Sequence, residues 1–368
     1  MRLVGGEAVK EMAPQYGDAD QSPLVRILSG AWRPAPEPVR ISASDLAHVT
    51  PALLFTGAAG LAWQRVKDPA LRTTASFQQL HDAYRLHSVQ SAVHEHEVRD
   101  VFTRLRAQGV EPLLLKGWAI ARRYPEPGFR PYGDIDLWVP PSQAAKAFEV
   151  LQARTGPPYC VEVHTTFYEQ YERTVTEVFD RSELLPLDDV KIRIPCLEDH
   201  LRYLCLHFLA HGGWRPLWLC DIALVVESRP AEFDWSRCLG ETAKYADWVA
   251  CAIGLAHQLL GAVITDVPVA DRARSLPQWL VPAVLRQWDA GWGMSHADTA
   301  SSAVKTNALR PSRLLGKLKE HWRNPIQASV ELSAAFDERP RAPLQLAAGL
   351  KRVPHATKEF VRGFRGGR

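Results

Sequence analysis

The sequence lacks any long hydrophobic run. None of its apolar stretches approaches the roughly 18 residues that a membrane-spanning helix requires. The first residues, Met1–Glu7, carry no hydrophobic segment after their positive charge, so no secretion signal is predicted. We therefore expect a cytoplasmic protein that binds no membrane.

Cysteine is also scarce. Only 6 cysteines occur among 368 residues, and no two of them form a CxxC pair. Several stand in apolar segments of helical periodicity, which indicates reduced core side chains rather than a disulfide framework or a zinc site. The six are Cys160, Cys196, Cys205, Cys220, Cys238 and Cys251.

A strong excess of charge is missing as well, because the net charge is only +3. The distribution is uneven, however. Residues 301–368 hold 14 Lys and Arg against 5 Asp and Glu, which leaves 30 and 36 for residues 1–300. A basic C-terminal extension of this kind either wraps its own domain, which we favour, or contacts RNA, phosphates or an acidic partner.

The length and the periodicity predict an α+β protein with a few strands between two helical regions. A helical N-terminal region precedes the sheet, and a mostly helical C-terminal half follows it. The predicted segments are an irregular stretch (1–43), a helical region (44–109), the sheet core (110–196), a helical domain (197–300) and the basic extension (301–368).

Individual elements follow from apolar spacing and from cap signals. A helix over 46–67 has Ser44 as its expected N-cap, with Pro51 as an alternative start. A longer helix over 76–108 counts Leu86, Val89 and Val93 on its apolar face and stops at Gly109. Strands are predicted at 110–115, 134–139, 160–167 and 190–194. Further helices are predicted at 117–123, 141–155 (with Ala145, Phe148 and Leu151 on one side), 197–210, 217–227, 235–239, 246–260, 282–288 and 312–322.

Two acids in an apolar strand are the most informative feature. Asp134 and Asp136 flank Ile135, and alternate residues of a strand point to the same side. Two carboxylates so near each other repel, and each loses solvation when it is buried. A divalent cation shared between them would offset both costs. The nearby Gly117 bend offers backbone N–H groups to a phosphate. The pattern therefore predicts a metal and a phosphate at one site.

The order of these motifs resembles that of a known family. Leu114–Gly117, then Arg130–Val139, then Val161–His164 place a Lys-Gly strand end, an Asp-Ile-Asp strand and a Glu-x-His strand in sequence. This order is similar to that of the nucleotidyltransferase superfamily of DNA polymerase β and kanamycin nucleotidyltransferase. It resembles most closely the bacterial family of uncharacterised nucleotidyltransferases, over about residues 45–260.

The resemblance implies a small mixed sheet of the nucleotidyltransferase type over residues 110–196, and with it a reaction and a set of roles. A nucleoside monophosphate would pass from an NTP to a hydroxyl of a small molecule, peptide or protein, releasing pyrophosphate. Asp134, Asp136 and Glu162 would be the catalytic residues and the ligands of Mg²⁺, with Mn²⁺ as the alternative, in a two-metal arrangement. The expected nucleotide-binding residues are Lys116, Gly117, Arg130, His164 and Asp221.

Several of these residues have alternative interpretations. His164 either orients Glu162 or contacts a phosphate, and Arg130 either binds the triphosphate or pairs with the aspartates. Asp221 lies in an apolar helix, where a buried acid needs a partner. Its expected partner is His207, His211 or Arg215, and a structural ion pair is favoured over a nucleotide contact. The segment His94–Glu97 is interpreted as solvated surface, and the tryptophans Trp214, Trp218, Trp235 and Trp248 as core packing.

The chain departs from the superfamily at one position. Trp118 follows the glycine, where a serine or a second glycine is usual, so a hydroxyl contact to the triphosphate is lost.

Two rival functions follow. One is a nucleotide-binding or regulatory, antitoxin-like protein without turnover, and the other is an RNA-directed nucleotidyltransferase that uses the basic extension as an electrostatic handle.

Overall fold

The structure, a computed structural model, describes residues 22–153, 159–166, 172–289 and 324–351. The predicted α+β class is confirmed. A three-stranded sheet consists of β1 (Leu113–Leu114), β2 (Ile135–Trp138) and β3 (Val161–His164). β2 is the central strand, antiparallel to β1 and parallel to β3, so the sheet is mixed as predicted. Each strand is shorter than its apolar run suggested.

A separate hairpin joins β4 (Glu183–Leu187) to β5 (Val190–Ile194). β5 was predicted, whereas β4 was not, because Pro186 interrupts its pattern. Proline is tolerated there since the hairpin has two strands only, and each is an edge strand. Asp188 takes a left-handed conformation in the turn, with φ of 52°.

The N-terminal region folds into α1 (Pro23–Leu28), α2 (Ala43–Thr56) and α3 (Ala59–Arg65). The single predicted helix over 46–67 is wrong, because Gly57 ends α2 in a left-handed conformation with φ of 77°. Ser42 caps α2 by accepting a hydrogen bond from the Asp45 backbone, in place of the expected Ser44.

Pro51 lies inside α2 and does not start it. Its missing N–H removes one intrahelical hydrogen bond, which the rest of the helix tolerates. The helix α1 was not expected, since the surrounding segment is rich in glycine and proline.

The long helix α4 (Ala75–Ala107) was predicted almost to the residue, and Thr74 caps its N-terminus. Its expected apolar face is only partly correct. Leu80 packs in one core and Phe102 in another, so that α4 links the two. Leu86, Val89 and Val93 are exposed instead of buried.

The later helices that were predicted agree with the structure within a few residues, apart from shorter pieces beside the sheet, whereas those at 175–180, 270–274, 325–331 and 342–351 were not predicted. The later helices are α5 (Trp118–Ala121), α6 (Ala144–Gln152), α7 (Val175–Asp180), α8 (Leu197–Ala210), α9 (Pro216–Ser228), α10 (Trp235–Leu239), α11 (Ala243–Leu260), α12 (Ala270–Arg274), α13 (Leu280–Asp289) and α14 (Pro325–Glu331). A further helix covers 342–351. The buried residue of α6 is Ala147, whereas Phe148 is exposed.

Two hydrophobic cores hold these elements. The larger lies among the helices and centres on α8, α9 and α11. The smaller lies against the sheet and contains the C-terminal half of α4 together with Trp118, Leu137 and Ile192. One face of the sheet, with Leu114 and Leu137, thus packs in the smaller core, while Leu113 and Trp138 on its other face belong to the larger core.

Cysteine behaves as predicted within the described residues. All six thiols are free, five of them are buried, and Cys160 is exposed. Burial raises the pKa of Cys196 to about 12, with the Asp199 carboxylate adding to the shift. The predicted helix over 312–322 and most of the basic extension lie outside the described residues. None of the described helices has the length and apolarity that crossing a lipid bilayer would require.

Candidate metal and nucleotide site

The parallel pairing of β2 with β3 brings two acids side by side. Asp136 lies directly opposite Glu162 in the register. Because alternate residues share a face, His164 lies on the same face as Glu162. The Asp136 side chain is 1% exposed and that of Glu162 is 60% exposed. A buried carboxylate therefore adjoins one that reaches solvent.

Asp136, Glu162 and His164 offer ligand atoms that all lie within 4.8 Å of one another. We call these three residues the acidic group. His164 Nε2 is 3.3 Å from Asp136 Oδ1 and 3.6 Å from Glu162 Oε2. The imidazole thus bridges the two carboxylates, which is the orienting position expected from the sequence.

One oxygen of this group has no hydrogen-bond donor. Asp136 Oδ2 is buried and accepts no hydrogen bond; Lys116 Nζ, 3.2 Å away, forms an ion pair with it outside hydrogen-bond geometry. A buried carboxylate oxygen without a donor costs free energy, and an oxygen-binding cation would remove that cost. The residues present therefore fit a metal ion, and their two carboxylates suit Mg²⁺ or Mn²⁺.

Lys116 also joins Asp134 to this arrangement. Its ammonium lies 3.7 Å from Asp134 Oδ2, so one cation neutralises both aspartates. Asp134 precedes the first residue of β2 and is half-exposed. Asp134 is not a member of the acidic group. Its carboxylate instead contacts Lys116, the residue expected to bind a phosphate of the nucleotide.

The bend after Lys116 depends on glycine. Gly117 has φ of 64°, and an added Cβ would lie 3.3 Å from the Asp134 carbonyl oxygen. The following helix α5 has only four residues, so its dipole is weaker than expected. Trp118 is buried in the smaller core, where its Nε1 donates a hydrogen bond to Glu95 at 3.2 Å. The His94–Glu97 segment therefore supports the bend rather than being plain surface.

Arg130 and Asp221 form a buried ion pair. Arg130 donates to both oxygens of Asp221, with Nη2 2.7 Å from Oδ2, and the Tyr124 hydroxyl donates to Oδ1 at 2.8 Å. Burial alone would lower the pKa of Arg130, but the Asp221 carboxylate raises it above its ordinary value. The expected partners of Asp221 among His207, His211 and Arg215 are wrong, as is the pairing of Arg130 with the aspartates of β2. The carboxylate of Asp221 is 0% exposed, and both of its oxygens accept hydrogen bonds within the protein.

These strands and their acids have a counterpart among known families. The model of the family described as "uncharacterised nucleotidyltransferase" matches residues 42–156 and 154–261, more than half of the chain. This protein belongs to that family. No curated protein and no solved structure gives a significant match.

The nucleotidyltransferase match extends past the sheet into α8 and α9, where two further polar residues approach the site. Arg215 donates through Nε to the Thr56 carbonyl at 2.8 Å. Burial lowers its pKa to about 10, with Arg130 adding to the fall and both Asp221 and Asp134 opposing it. A second positive charge, unexpected as a site residue, thus lies near Asp134.

His207 is the other such residue. Burial lowers its pKa well below the ordinary value, and the nearby His211 and Lys116 lower it further. Its neutral ring contacts Tyr203 and Trp218. The sequence offered His207 as a partner for Asp221. In the structure His207 instead lies among aromatic rings and near the positive charges of Lys116, Arg130 and Arg215.

Proposed function

We propose that this protein transfers a nucleoside monophosphate from an NTP to a hydroxyl of a small molecule, peptide or protein, in a reaction that depends on Mg²⁺. The observation that carries the proposal is the acidic group, with its buried Asp136 oxygen that lacks a hydrogen-bond donor. Metal ligation is the simplest way to satisfy that oxygen. Membership in a nucleotidyltransferase family supports the same reaction.

Asp136 and Glu162 would hold the metal, with Asp134 completing the set once Lys116 turns from the aspartates to a phosphate. When bound, the ion supplies activation of the acceptor hydroxyl and neutralisation of the leaving oxygen, in a two-metal arrangement if a second ion joins. Mn²⁺ would suit the same oxygen ligands.

The protein's own groups account for the remaining steps. Gly117 lets the backbone approach the triphosphate, and Lys116 supplies positive charge to it. The acceptor oxygen forms a bond to the α-phosphorus while the bond to pyrophosphate breaks. The hydroxyl proton passes to Glu162, whose carboxylate reaches solvent. His164 holds that carboxylate and the one of Asp136 in place.

Incubation of the protein with Mg²⁺ and each of the four α-labelled NTPs tests the proposal. We expect label on an acceptor or on the protein itself, with one pyrophosphate released per label. Asp136→Asn should lower the rate at which both products form by about a thousandfold, whereas Glu149→Gln, a change of an exposed acid on α6, should alter neither. Absence of label and of pyrophosphate with all four NTPs would contradict transfer.

One observation favours a second candidate, a nucleotide-binding or regulatory protein without turnover. The residue after the glycine is a tryptophan, which has no hydroxyl to offer a triphosphate, and its side chain is buried. Such a protein would bind NTP by calorimetry, would keep that binding in Asp136→Asn, and would release no pyrophosphate. The RNA-directed alternative rests on the basic extension, which lies mostly outside the described residues, and it stays a prediction.

A further inference from the structure

Aromatic rings run from the metal-binding strand into the helical half. Trp138, two residues after Asp136, contacts Tyr203 edge-on with ring centroids 5.9 Å apart. Tyr203 stacks on His207 at 5.4 Å, and His207 contacts Trp218 at 4.5 Å. Because alternate strand residues share a face, this line of rings begins on the face of β2 that carries Asp136.

The line ends in rings that water reaches. Trp218 contacts Trp214 at 5.5 Å and His211 at 5.3 Å, and Trp214 contacts Phe55 at 5.9 Å. Phe55 is 46% exposed, and the other three are partly exposed, although Trp218 also packs against the larger core as predicted. We call Phe55, His211, Trp214 and Trp218 the aromatic platform. It comes from α2, from α9 and from the segment between α8 and α9.

Leaving four large rings partly in water is unfavourable, since each would gain free energy by complete burial. Exposed aromatic clusters of this kind mark surfaces that bind a ligand. A flat ring with a π-face is the ligand that such a surface recognises best, and every nucleobase has one.

The platform lies beside the loop that leads to Asp134. The Arg215 guanidinium is 5.4 Å from the Trp218 ring centroid. A Cβ added at Gly57 would lie 3.0 Å from Arg215 Nη2 and 2.9 Å from Pro131 Cγ, so both side chains lie against Gly57. Pro131 belongs to the loop that enters β2 through Asp134. Arg215 therefore adjoins the Trp218 ring and lies within electrostatic reach of Asp134.

We propose that the aromatic platform stacks the base of the nucleotide, while Arg215 and Lys116 contact its phosphates. The inference rests on the proposed function and adds a substrate class to it. Stacking strength grows with the overlapping ring area, so the two-ring purines should bind more tightly than the pyrimidines. The site is thus selective for purine nucleoside triphosphates.

Calorimetry with two probes, a nucleotide with a base and inorganic tripolyphosphate without one, isolates the base contribution. We expect Mg²⁺-ATP and Mg²⁺-GTP to bind several-fold more tightly than UTP or CTP. Phe55→Ala should weaken ATP binding about tenfold and leave tripolyphosphate binding unchanged. Phe148→Ala is the matched control, because Phe148 is 47% exposed on α6, and it should change neither affinity.

A second readout protects against misfolding of a variant. ATP should quench tryptophan fluorescence in the intact protein, and Trp214→Leu should reduce that quenching with unchanged far-ultraviolet circular dichroism. Equal affinities for ATP and tripolyphosphate, or a parallel loss of both in Phe55→Ala, would overturn the stacking while nucleotidyl transfer could still be observed by labelling. An acceptor KM that rises in Phe55→Ala without any change in ATP affinity would overturn it too. Loss of both binding and labelling in the intact protein would overturn both proposals.

Discussion

Two charged clusters lie close together beside the sheet, and they differ in how completely their polar atoms are satisfied. In the buried ion pair, both oxygens of Asp221 accept hydrogen bonds from Arg130, and Tyr124 adds another. In the acidic group, Asp136 is equally buried, yet one of its oxygens accepts none. Glu162, its neighbour, is open to solvent.

This difference distinguishes a cluster that stabilises the fold from one that binds a ligand. A buried charge with all its partners in place contributes order and needs no ligand. A buried charge with an unmade hydrogen bond costs stability, and it is retained where something binds it. Substitutions should therefore act on stability in the first cluster and on activity in the second.

The largest expected effect is on folding. Asp221→Ala removes the partner of a buried guanidinium and should lower the free energy of unfolding by about 3–5 kcal/mol. Urea denaturation monitored by circular dichroism measures this change. Tyr124→Phe, which removes only one hydrogen bond to the same carboxylate, should cost about 1.5 kcal/mol. If both variants were as stable as the parent, the pair would not hold the helical half against the sheet.

The next effect is on turnover. Asp136→Asn should lower nucleotidyl transfer by about a thousandfold, equivalent to about 4 kcal/mol of transition-state stabilisation. Its free energy of unfolding should change by less than about 1 kcal/mol, because the asparagine keeps an oxygen for His164 and Lys116 keeps Asp134 as its partner. A fall in stability as large as that of Asp221→Ala would show instead that Asp136 is structural.

The acidic group is easier to predict from the sequence than the buried ion pair, for a physical reason. The acidic group arises from strand periodicity and register, which place Asp136 next to Glu162 once β2 pairs with β3. The ion pair joins residues 91 positions apart across two elements, and no local pattern encodes such a contact. Nothing in the sequence distinguishes Arg130 from Arg215 as the partner of Asp221.

The same limit applies to burial on long helices. The period of α4 was correct, and Leu86, Val89 and Val93 fit it, yet these residues are exposed because nothing among the described residues covers that part of the helix. Periodicity predicts that a helix forms and which side chains share a face. Whether a neighbour packs on that face is decided by the tertiary arrangement.

Lys116 pairs with Asp136 and Asp134 much as Arg130 pairs with Asp221. Lys116→Met should lower turnover by about 10- to 100-fold through loss of the phosphate contact. The same variant should bind Mn²⁺ alone more tightly than the parent, since the ammonium no longer competes for Asp136 and Asp134. Calorimetric titration with Mn²⁺ measures this, and weaker Mn²⁺ binding would contradict the competition.

The smallest expected effect concerns acid. Burial lowers the pKa of His200 to about 3, with Arg123 and Arg130 adding to the shift, and both of its ring nitrogens lack hydrogen-bond partners. Burial likewise lowers the pKa of His87 and of His207. An unfolded histidine titrates near 6.5, so the unfolded chain binds these protons first. The free energy of unfolding therefore keeps the full contribution of these neutral histidines above about pH 6.5. It falls as the pH decreases from 6.5 toward their pKa values in the folded protein.

Each such histidine contributes a slope of about 1.4 kcal/mol per pH unit between pH 6.5 and its folded-state pKa. His200→Leu removes one of the three and should flatten the dependence between pH 5 and 6.5 by about that amount. Urea denaturation at several pH values measures the slope, and an unchanged slope would mean that His200 is protonated or hydrated in the folded protein. Because Arg130 lowers the pKa of both His200 and His207, Arg130→Met should flatten the same curve slightly, which connects this acid sensitivity to the buried ion pair.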